Sequence, residues 1–411
     1  MSGKNNSKLR LTHQAFVLGL FDTGLAVIRS LGKYGIPVTG LDYDPKMPGF
    51  RSRYCTARLF PNPIHKPEET LDFLLHEGKK RADHGILLPT TDAFVLFVSR
   101  YRDALKEYFR FNLPASDIVE SIADKRRQYE LAKKSDVPCP RAFFPESASD
   151  VELFKNKIDY PAIVKGCYSY QWQAKFPQIK GFKVHDPREL EKKIKELLPF
   201  RIKVLVQSII PGANTNHYKV CAYINGQGKT LALFVLQKIR QYPVEFGVGT
   251  CVESVRSDEL IRLGMQFFDD IGYRGIGSIE FKKDERDGKF KLIELNPRYW
   301  QQNDHALACG IDFPLIQYAD LTGQDPVPQL HYRTGVKWLD PMSDFQSFLD
   351  HRRNGRLSFG KWLSSLRGTR AFSSWSLNDP GPMLKSIEYG WKIIKAPLYI
   401  MKKSMKKAGL E

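Results

Sequence analysis

The stretch Gly275 to Trp300, "GIGSIEFKKDERDGKFKLIELNPRYW", constrains this chain more than any other. Two apolar runs flank Asp287 and Gly288, a turn pair, so the segment predicts a β-hairpin. Alternate residues of a strand share a face, which puts Glu294 and Asn296 on one side beside apolar Leu292, Ile293 and Leu295. With Asp287-Gly288 in the loop, Glu280 falls opposite Glu294, at the ~5 Å spacing of cross-strand partners. Like-charged carboxylates in that position repel unless a cation sits between them. Glu280, Glu294 and Asn296 would offer three hard oxygen ligands, a set suited to Mg²⁺, whose remaining positions are filled by water and phosphate oxygens. A solvated hairpin face carrying acids is the plain alternative. Arg298, just past the strand end, favours the metal, because a guanidinium there could stabilise charge on a transferred phosphoryl group.

The chain begins with a different pattern. "AFVLGL" reads as a short strand, and "GLAVIRSLGKYG" has helical spacing through Leu25, Ile28 and Leu31, with Gly35 at the exit. "IPVTGLDYD" is a second strand and "HGILLPTTD" a later one with a polar tip. This βαβ order predicts a parallel sheet. Gly19 and Gly24 lack the middle glycine of a dinucleotide fingerprint, and no GK[ST] follows. Asp42 stands near the place of a ribose-binding acid, but an acid after a second strand is common. A Rossmann-like sheet taking a small substrate at its strand ends is preferred over a nicotinamide site.

From about Ser116 the chain reads as helices, then strands. "YPAIVKG" ends in Lys165 and "KVLVQSIIPG" breaks at Pro211 and Gly212. "HYKVCAYING" and "KTLALFVLQKIRQYP" form a hairpin turning at Asn225-Gly226, and Ser257 is an N-cap candidate for the helix after it. Lys165 ends a buried strand and needs an anion or a route to water. Lys125 lies near a helix start, where it could meet an anion together with backbone N–H groups. Lys238 and Arg240 alternate along their strand and are expected to share a face, lining either a cleft or an exposed edge. Lys plus Arg number 63 against 45 Asp plus Glu, a net charge of +18, which favours anionic partners. The six cysteines form no CxxC pair and no zinc spacing. The start is polar and no apolar run reaches ~18 residues, so a cytoplasmic protein with reduced thiols is expected.

The segments "YPAIVKG", "VQSIIPG", "QKIRQYPVEFGVGT", "GSIEFKKDERDGKFKLIELNPRYW" and "CGIDFP" stand in the order seen in ATP-grasp carboxylate–amine ligases, and the chain most resembles the D-aspartate ligase-like subgroup. The resemblance runs from about Ala15 to Gly323. It implies an α/β chain with a Rossmann-like pre-ATP-grasp domain (1–114), a two-lobed α+β ATP-grasp domain (115–330) with its hinge near 207–210, and a mainly helical, basic C-terminal extension (331–411). It implies an amide bond formed through an acyl phosphate, with small-molecule carboxylate and amine substrates, an amino acid among them. Lys125 and Lys165 would meet the ATP phosphates, and Gln207, Ser208, Ile209 and Ile210 the adenine, largely through backbone groups. Glu280, Glu294 and Asn296 would hold one or two Mg²⁺ ions, or Mn²⁺ in their place. Arg298, Arg240 and Lys238 would form the catalytic cluster, the two arginines steadying the transferred phosphate. Two departures stand out: Ser208 replaces a frequent glutamate, and residues 166–181, "GCYSYQWQAKFPQIKG", replace a glycine-rich phosphate lid. They motivate a rival reading, a catalytically silent ATP-binding module docked to a membrane or protein partner.

The tail "SIEYGWKIIKAPLYIMKKSMKKAGL" sets Ile387, Trp391, Ile394, Leu398, Met401 and Met405 near one helical face, with seven lysines between Lys385 and Lys407. It reads as a helix packed on the body, or as a peripheral anchor at the inner face of a membrane; amphipathicity more often means packing, and the first is preferred. No nucleic-acid recognition motif is present, only charge.

Overall fold

Residues 12–177 and 179–385 are described in a computed structural model of the chain, and their strands form three sheets. Strands β1 (Ala15–Leu18), β2 (Val38–Asp42), β3 (Thr56–Leu59), β4 (Gly85–Pro89) and β5 (Phe109–Arg110) make a parallel sheet in the order β3-β2-β1-β4-β5. β1, β2 and β4 are buried along their whole length, as near-continuous apolar strands covered on both faces must be. Strands β6 (Ala142–Phe143), β7 (Ala162–Gly166), β8 (Phe182–Val184) and β9 (Val204–Ser208) form an antiparallel sheet in the order β6-β9-β7-β8. The largest sheet holds β10 (His217–Ile224), β11 (Thr230–Tyr242), β12 (Val248–Ser254), β13 (Gly275–Lys283), β14 (Phe290–Asn296), β15 (Lys337–Leu339) and β16 (Thr369–Phe372), in the order β14-β13-β10-β11-β12-β15-β16.

The predicted turns are where the sequence places them. Asn225 Oδ1 accepts from the backbone N–H groups of Gln227 and Lys229 between β10 and β11, and Gly288 (φ +70°) closes the β13–β14 turn. Ser257 caps the helix Asp258–Asp270 by accepting from the Leu260 N–H. The glycines of the first loop have a packing role. Gly19 holds φ +98°, and a Cβ on Gly24 would lie 1.8 Å from the Gly19 carbonyl oxygen. Asp42 accepts from the Leu20 N–H (2.7 Å) and the Asp44 N–H (3.0 Å), so this acid is spent on ordering its own loops.

The C-terminal extension is more than helices. Its helices Pro341–Arg353 and Phe359–Ser365 are joined by β15 and β16, which cover the β12 edge: Cys251, Val252 and Glu253 pair with Leu339, Trp338 and Lys337. Farther on, Asp379 accepts from Arg29 Nε (2.9 Å), Ser52 Oγ (2.8 Å) and the Arg53 N–H (2.9 Å), which pins this segment to the first sheet's helix Asp22–Lys33. The amphipathic stretch from Ile387 lies outside the described residues. Among the described residues, no helix is long and apolar enough to cross a membrane.

The parallel sheet shares a core with the largest sheet, through Val17, Leu20 and Ile28 on one side and Phe234, Trp300 and Trp338 on the other. The four-stranded sheet has a core of its own, around Val164, Trp172, Leu190 and Val206. Because the Gly24 contact is with backbone that cannot swing aside, Gly24→Ala should destabilise the protein by about 3 kcal/mol. A chemical denaturation curve checks this; a midpoint shift within error would show that the loop relaxes freely.

Candidate functional site

A cleft of about 680 Å³ is lined by residues of the four-stranded and largest sheets and of the segments that follow β1 and β4. That is within the range of ligand sites, roughly 300–1,000 Å³. Its charged lining comprises eight cations (Lys125, Lys165, Lys180, Lys183, Lys219, Lys238, Lys282, Arg298) and four acids (Asp92, Glu245, Glu280, Glu294). The excess of positive charge selects for a polyanion.

The hairpin delivers its acids as expected. Glu280 pairs in register with Glu294, and Asn296 lies opposite Ser278. The ladder shifts between Glu280 and Phe281, so Ile293 is an extra residue that bulges beside the acids. Each carboxylate is balanced by lysine: Glu280 lies 3.1 Å from Lys219 Nζ and 3.8 Å from Lys238 Nζ, and Glu294 lies 3.5 Å from Lys125 Nζ. Burial alone would push the Glu280 carboxyl up, but Lys219 and Lys238 outweigh it and hold it far below the usual carboxylate range. Burial lowers Lys165 to about 8, with Lys125 adding to the effect. Burial likewise lowers Lys238, while Glu280 opposes the shift. Ammonium groups so poorly solvated are prepared for an anion.

Among the described residues no group of three or more His, Cys, Asp or Glu side chains is placed for a metal. The candidate set is instead two carboxylates and one amide. Its chemistry fits Mg²⁺ in company with phosphate: the donors are hard oxygens, and both acids are paired only with lysine tips. Asn296 Oδ1 has only a long contact to Arg298 (3.4 Å).

The predicted nucleotide contacts are brought to the same cleft with one exception. Lys125, first residue of the helix Lys125–Lys134, donates to Ser169 Oγ (3.0 Å) and lies under the segment 166–181. Gln207, Ile209 and Ile210 line the cleft, and Lys282 Nζ holds the Ile210 carbonyl (2.7 Å). Ser208 does not: its side chain turns away to Asp159, accepting from that residue's N–H at 3.2 Å. Where a glycine-rich lid was missing, a short helix, Ser169–Lys175, is anchored by Trp172, whose indole N–H donates to the Ile179 carbonyl (2.6 Å) and whose ring packs on Phe176 and Phe182.

Arg240 is a correction. It does not share a face with Lys238, because the β11–β12 ladder skips Ile239: Lys238 pairs with Val252 and Arg240 with Cys251. The bulge sends Lys238 and Gln241 into the cleft and Arg240 to the opposite side. There it forms a buried two-pronged ion pair with Asp344 (2.8 Å at both Nε and Nη2), with Ser365 Oγ at 2.6 Å. Arg240 therefore ties the sheet to the C-terminal extension rather than reaching a phosphate in the cleft.

The sequence reading passed over Lys219, although a lone lysine inside the apolar strand "HYKVCAYI" is the same signal as Lys165. It also passed over the pairing of Asp92 with Arg298 (Nε to Oδ1 2.7 Å, Nη2 to Oδ2 3.3 Å), which spans two sheets. His217, another cleft residue, is driven down to about 3 by burial, with Lys238 and Lys282 adding, so its imidazole is neutral.

No protein-family model matches the chain. A D-aspartate ligase of Enterococcus faecium is 20% identical over 306 residues, covering 71% of this chain and 72% of that protein. An N5-carboxyaminoimidazole synthetase from Staphylococcus aureus, solved with ADP, superimposes with a TM-score of 0.64 at 15% identity, covering 85% of this chain and 87% of that one. This chain has the ATP-grasp fold. An L-amino acid ligase from Bacillus licheniformis shares the fold, with a TM-score of 0.57 at 14% identity over 75% of this chain and 74% of that one.

Beside the cleft three acids gather. Asp22 accepts from Gln301 Nε2 (3.2 Å) and Ser374 Oγ (2.7 Å), and Asp304 accepts from the Trp338 indole (2.7 Å). Burial pushes Asp304 up to about 7; the Trp338 hydrogen bond and Arg29 oppose the rise and Asp22 adds to it. Burial, with Asp22 adding, pushes Asp340 up to about 6. A carboxyl with a raised folded value favours the folded state at low pH, and this is lost as pH climbs. Asp304→Asn should therefore gain stability over the native protein progressively between 3.8 and about 7, and by a constant amount above. Thermal melts of both proteins across that interval check it; a pH-independent difference would mean Asp304 is ionised throughout.

Proposed function

We propose that this protein is an ATP- and Mg²⁺-dependent, ADP-forming ligase that joins a carboxylic acid to an amine through an acyl phosphate. The observation that carries this reading is the register of Glu280 opposite Glu294, with Asn296 beside them, in a cleft whose other charges are mainly cationic. Mg²⁺ held by these three side chains would neutralise and align phosphate oxygens. The chain's own residues do the rest. Lys125, Lys165, Lys219 and Lys238 surround the acids and would take up the negative charge of a triphosphate. Gln207, Ile209 and Ile210 offer a mixed apolar and polar wall for the adenine. Arg298, at the end of β14, faces the loops of the parallel sheet and would steady the carboxylate as it becomes phosphorylated. No side chain acts as a covalent nucleophile, because positioning and charge neutralisation suffice for phosphoryl transfer. An amino acid as one substrate is supported by the names of the relatives, a D-aspartate ligase and an L-amino acid ligase.

The aromatic, helical lid supports one rival, a nucleotide-binding module without turnover. Two measurements separate the readings: a thermal shift with ATP and Mg²⁺, and an ADP-release screen over paired amino acids. Stabilisation with no ADP from any pair favours the silent module. If the ligase reading holds, Glu294→Gln should cut ADP release by about a hundredfold or more while the protein still melts cooperatively. Undiminished release would remove the metal assignment.

A further inference from the structure

Of the four acids in the cleft, three have evident employment. Glu280 and Glu294 face each other, and Glu245 sits at the exposed rim against Lys183 (3.3 Å). Asp92 stands apart. It follows β4 as the first residue of the helix Asp92–Arg100, yet the helix is capped by Thr91, which accepts from the Phe94 N–H. Capping therefore does not explain Asp92. Its place in the fold suggests another use. The parallel sheet runs β3-β2-β1-β4-β5, so the chain reverses direction between β1 and β4. In such sheets the ligand crevice lies at the carboxyl ends of the strands at that switch point. Thr23 after β1 and Thr91 and Asp92 after β4 line the cleft there.

Asp92 is half exposed, and its ion-pair partner among the described residues is Arg298. Lys125 and Lys180 add only longer-range attraction. Arg298 in turn is asked to do two things. A guanidinium has two edges that can grip an anion with two prongs: here Nε and Nη2 hold Asp92, while Nη1 donates to the Tyr299 carbonyl (3.1 Å) and Nη2 also reaches Asn296 Oδ1 (3.4 Å), so both edges are taken. A phosphate that is to be gripped with two prongs must displace one of these sets, and Asp92 is the anion among them.

Resting on the ligase reading, we propose that Asp92 is the docking group for the ammonium head of the amine substrate, and that Arg298 masks it until the acyl phosphate claims the guanidinium. With Arg298 drawn to phosphate oxygens, Asp92 is left as an unpaired carboxylate at the substrate end of the cleft. An ammonium group then replaces the lost counter-charge; it hands a proton to the Asp92 carboxylate as its nitrogen, now with a free electron pair, attacks the acyl carbon and phosphate leaves. The exchange sets an order: the amine is admitted once the acid has been activated.

The test uses the full chain with ATP, Mg²⁺ and a panel of D- and L-amino acids, and compares two nucleophiles. Hydroxylamine is uncharged near neutral pH and intercepts an acyl phosphate as a hydroxamate without needing a carboxylate to dock it. A second amino acid arrives as an ammonium ion and gives an amide. Asp92→Asn keeps an oxygen for Arg298 and removes the charge. The ratio of amide to hydroxamate should fall about a hundredfold, with a raised KM for the amine, and Asp92→Glu should restore part of it. The melting temperature with ATP and Mg²⁺ should stay near that of the native protein. An unchanged ratio overturns the proposal. So does equal loss of both products together with a lowered melting temperature, which would make Asp92 structural. Native protein that forms neither product on any pair overturns the ligase reading itself, and this role with it, before any variant is compared.

Discussion

Two carboxylates held face to face across neighbouring strands are unfavourable in isolation, and the rest of the site is arranged around that repulsion. Glu280 and Glu294 cannot drift apart, because the same strands bury Ile279, Phe281, Leu292 and Leu295. A one-residue slip would turn that apolar set toward the cleft. The register is fixed by core packing, and the acids occupy the places left over. Lys219 directly across β10, Lys238 on β11 and Lys125 at a helix start then supply the charge that makes the arrangement tolerable. On the proposed reading, Glu280 and Glu294 would turn from these lysines to a cation, and the lysines to phosphate oxygens.

This explains why the ammonium groups are poorly solvated. A lysine in water loses little by ignoring a phosphate, whereas Lys165, lowered to about 8 by burial and by Lys125, gains from any anion that offsets its poor solvation. The same reasoning separates Lys238 from Arg240. Both sit in β11, but the lysine has only a long contact to its acid, Glu280 (3.8 Å), and is free to take another anion. Arg240 is saturated by Asp344 and Ser365, and a buried pair of that kind resists being opened. It serves the joint between the sheet and the C-terminal extension.

The sequence showed whatever depends on neighbouring residues. The period of two in "KLIELN", the turn residues at Asn225 and Asp287, and a lysine at the end of "AIVKG" are local signals, and the structure places each in the cleft or its hairpins. It did not show what depends on partners far along the chain. The bulge at Ile239 exists only in relation to β12, so Lys238 and Arg240 read as neighbours on one face. Ser208 reads as part of the hinge, but the orientation of its hydroxyl is decided by Asp159 on a different segment. Asp92 and Arg298 are 206 residues apart, and nothing near either one announces the other. β15 and β16 are too short to stand out by periodicity and take shape as strands by completing the β12 edge.

The division of the core shows which wall of the cleft can move. The parallel sheet and the largest sheet share apolar packing, and the C-terminal segment clasps them further through Arg29 with Asp379 and through Ser374, Asp22 and Gln301. Separating these two walls would expose buried side chains and break buried ion pairs, at a cost comparable to local unfolding. The four-stranded sheet keeps most of its packing in its own core, where Trp172 anchors the lid helix, while Leu205 and Cys167 join the core of the largest sheet. Its charged contacts across the cleft are few and of a kind a ligand can replace, such as Lys183 with Glu245. Opening therefore costs least on this side, carrying Lys165, the lid and the β9 segment as one body. Arg298 and Asp92, by contrast, meet between the two walls that share a core, so their pairing does not depend on that motion.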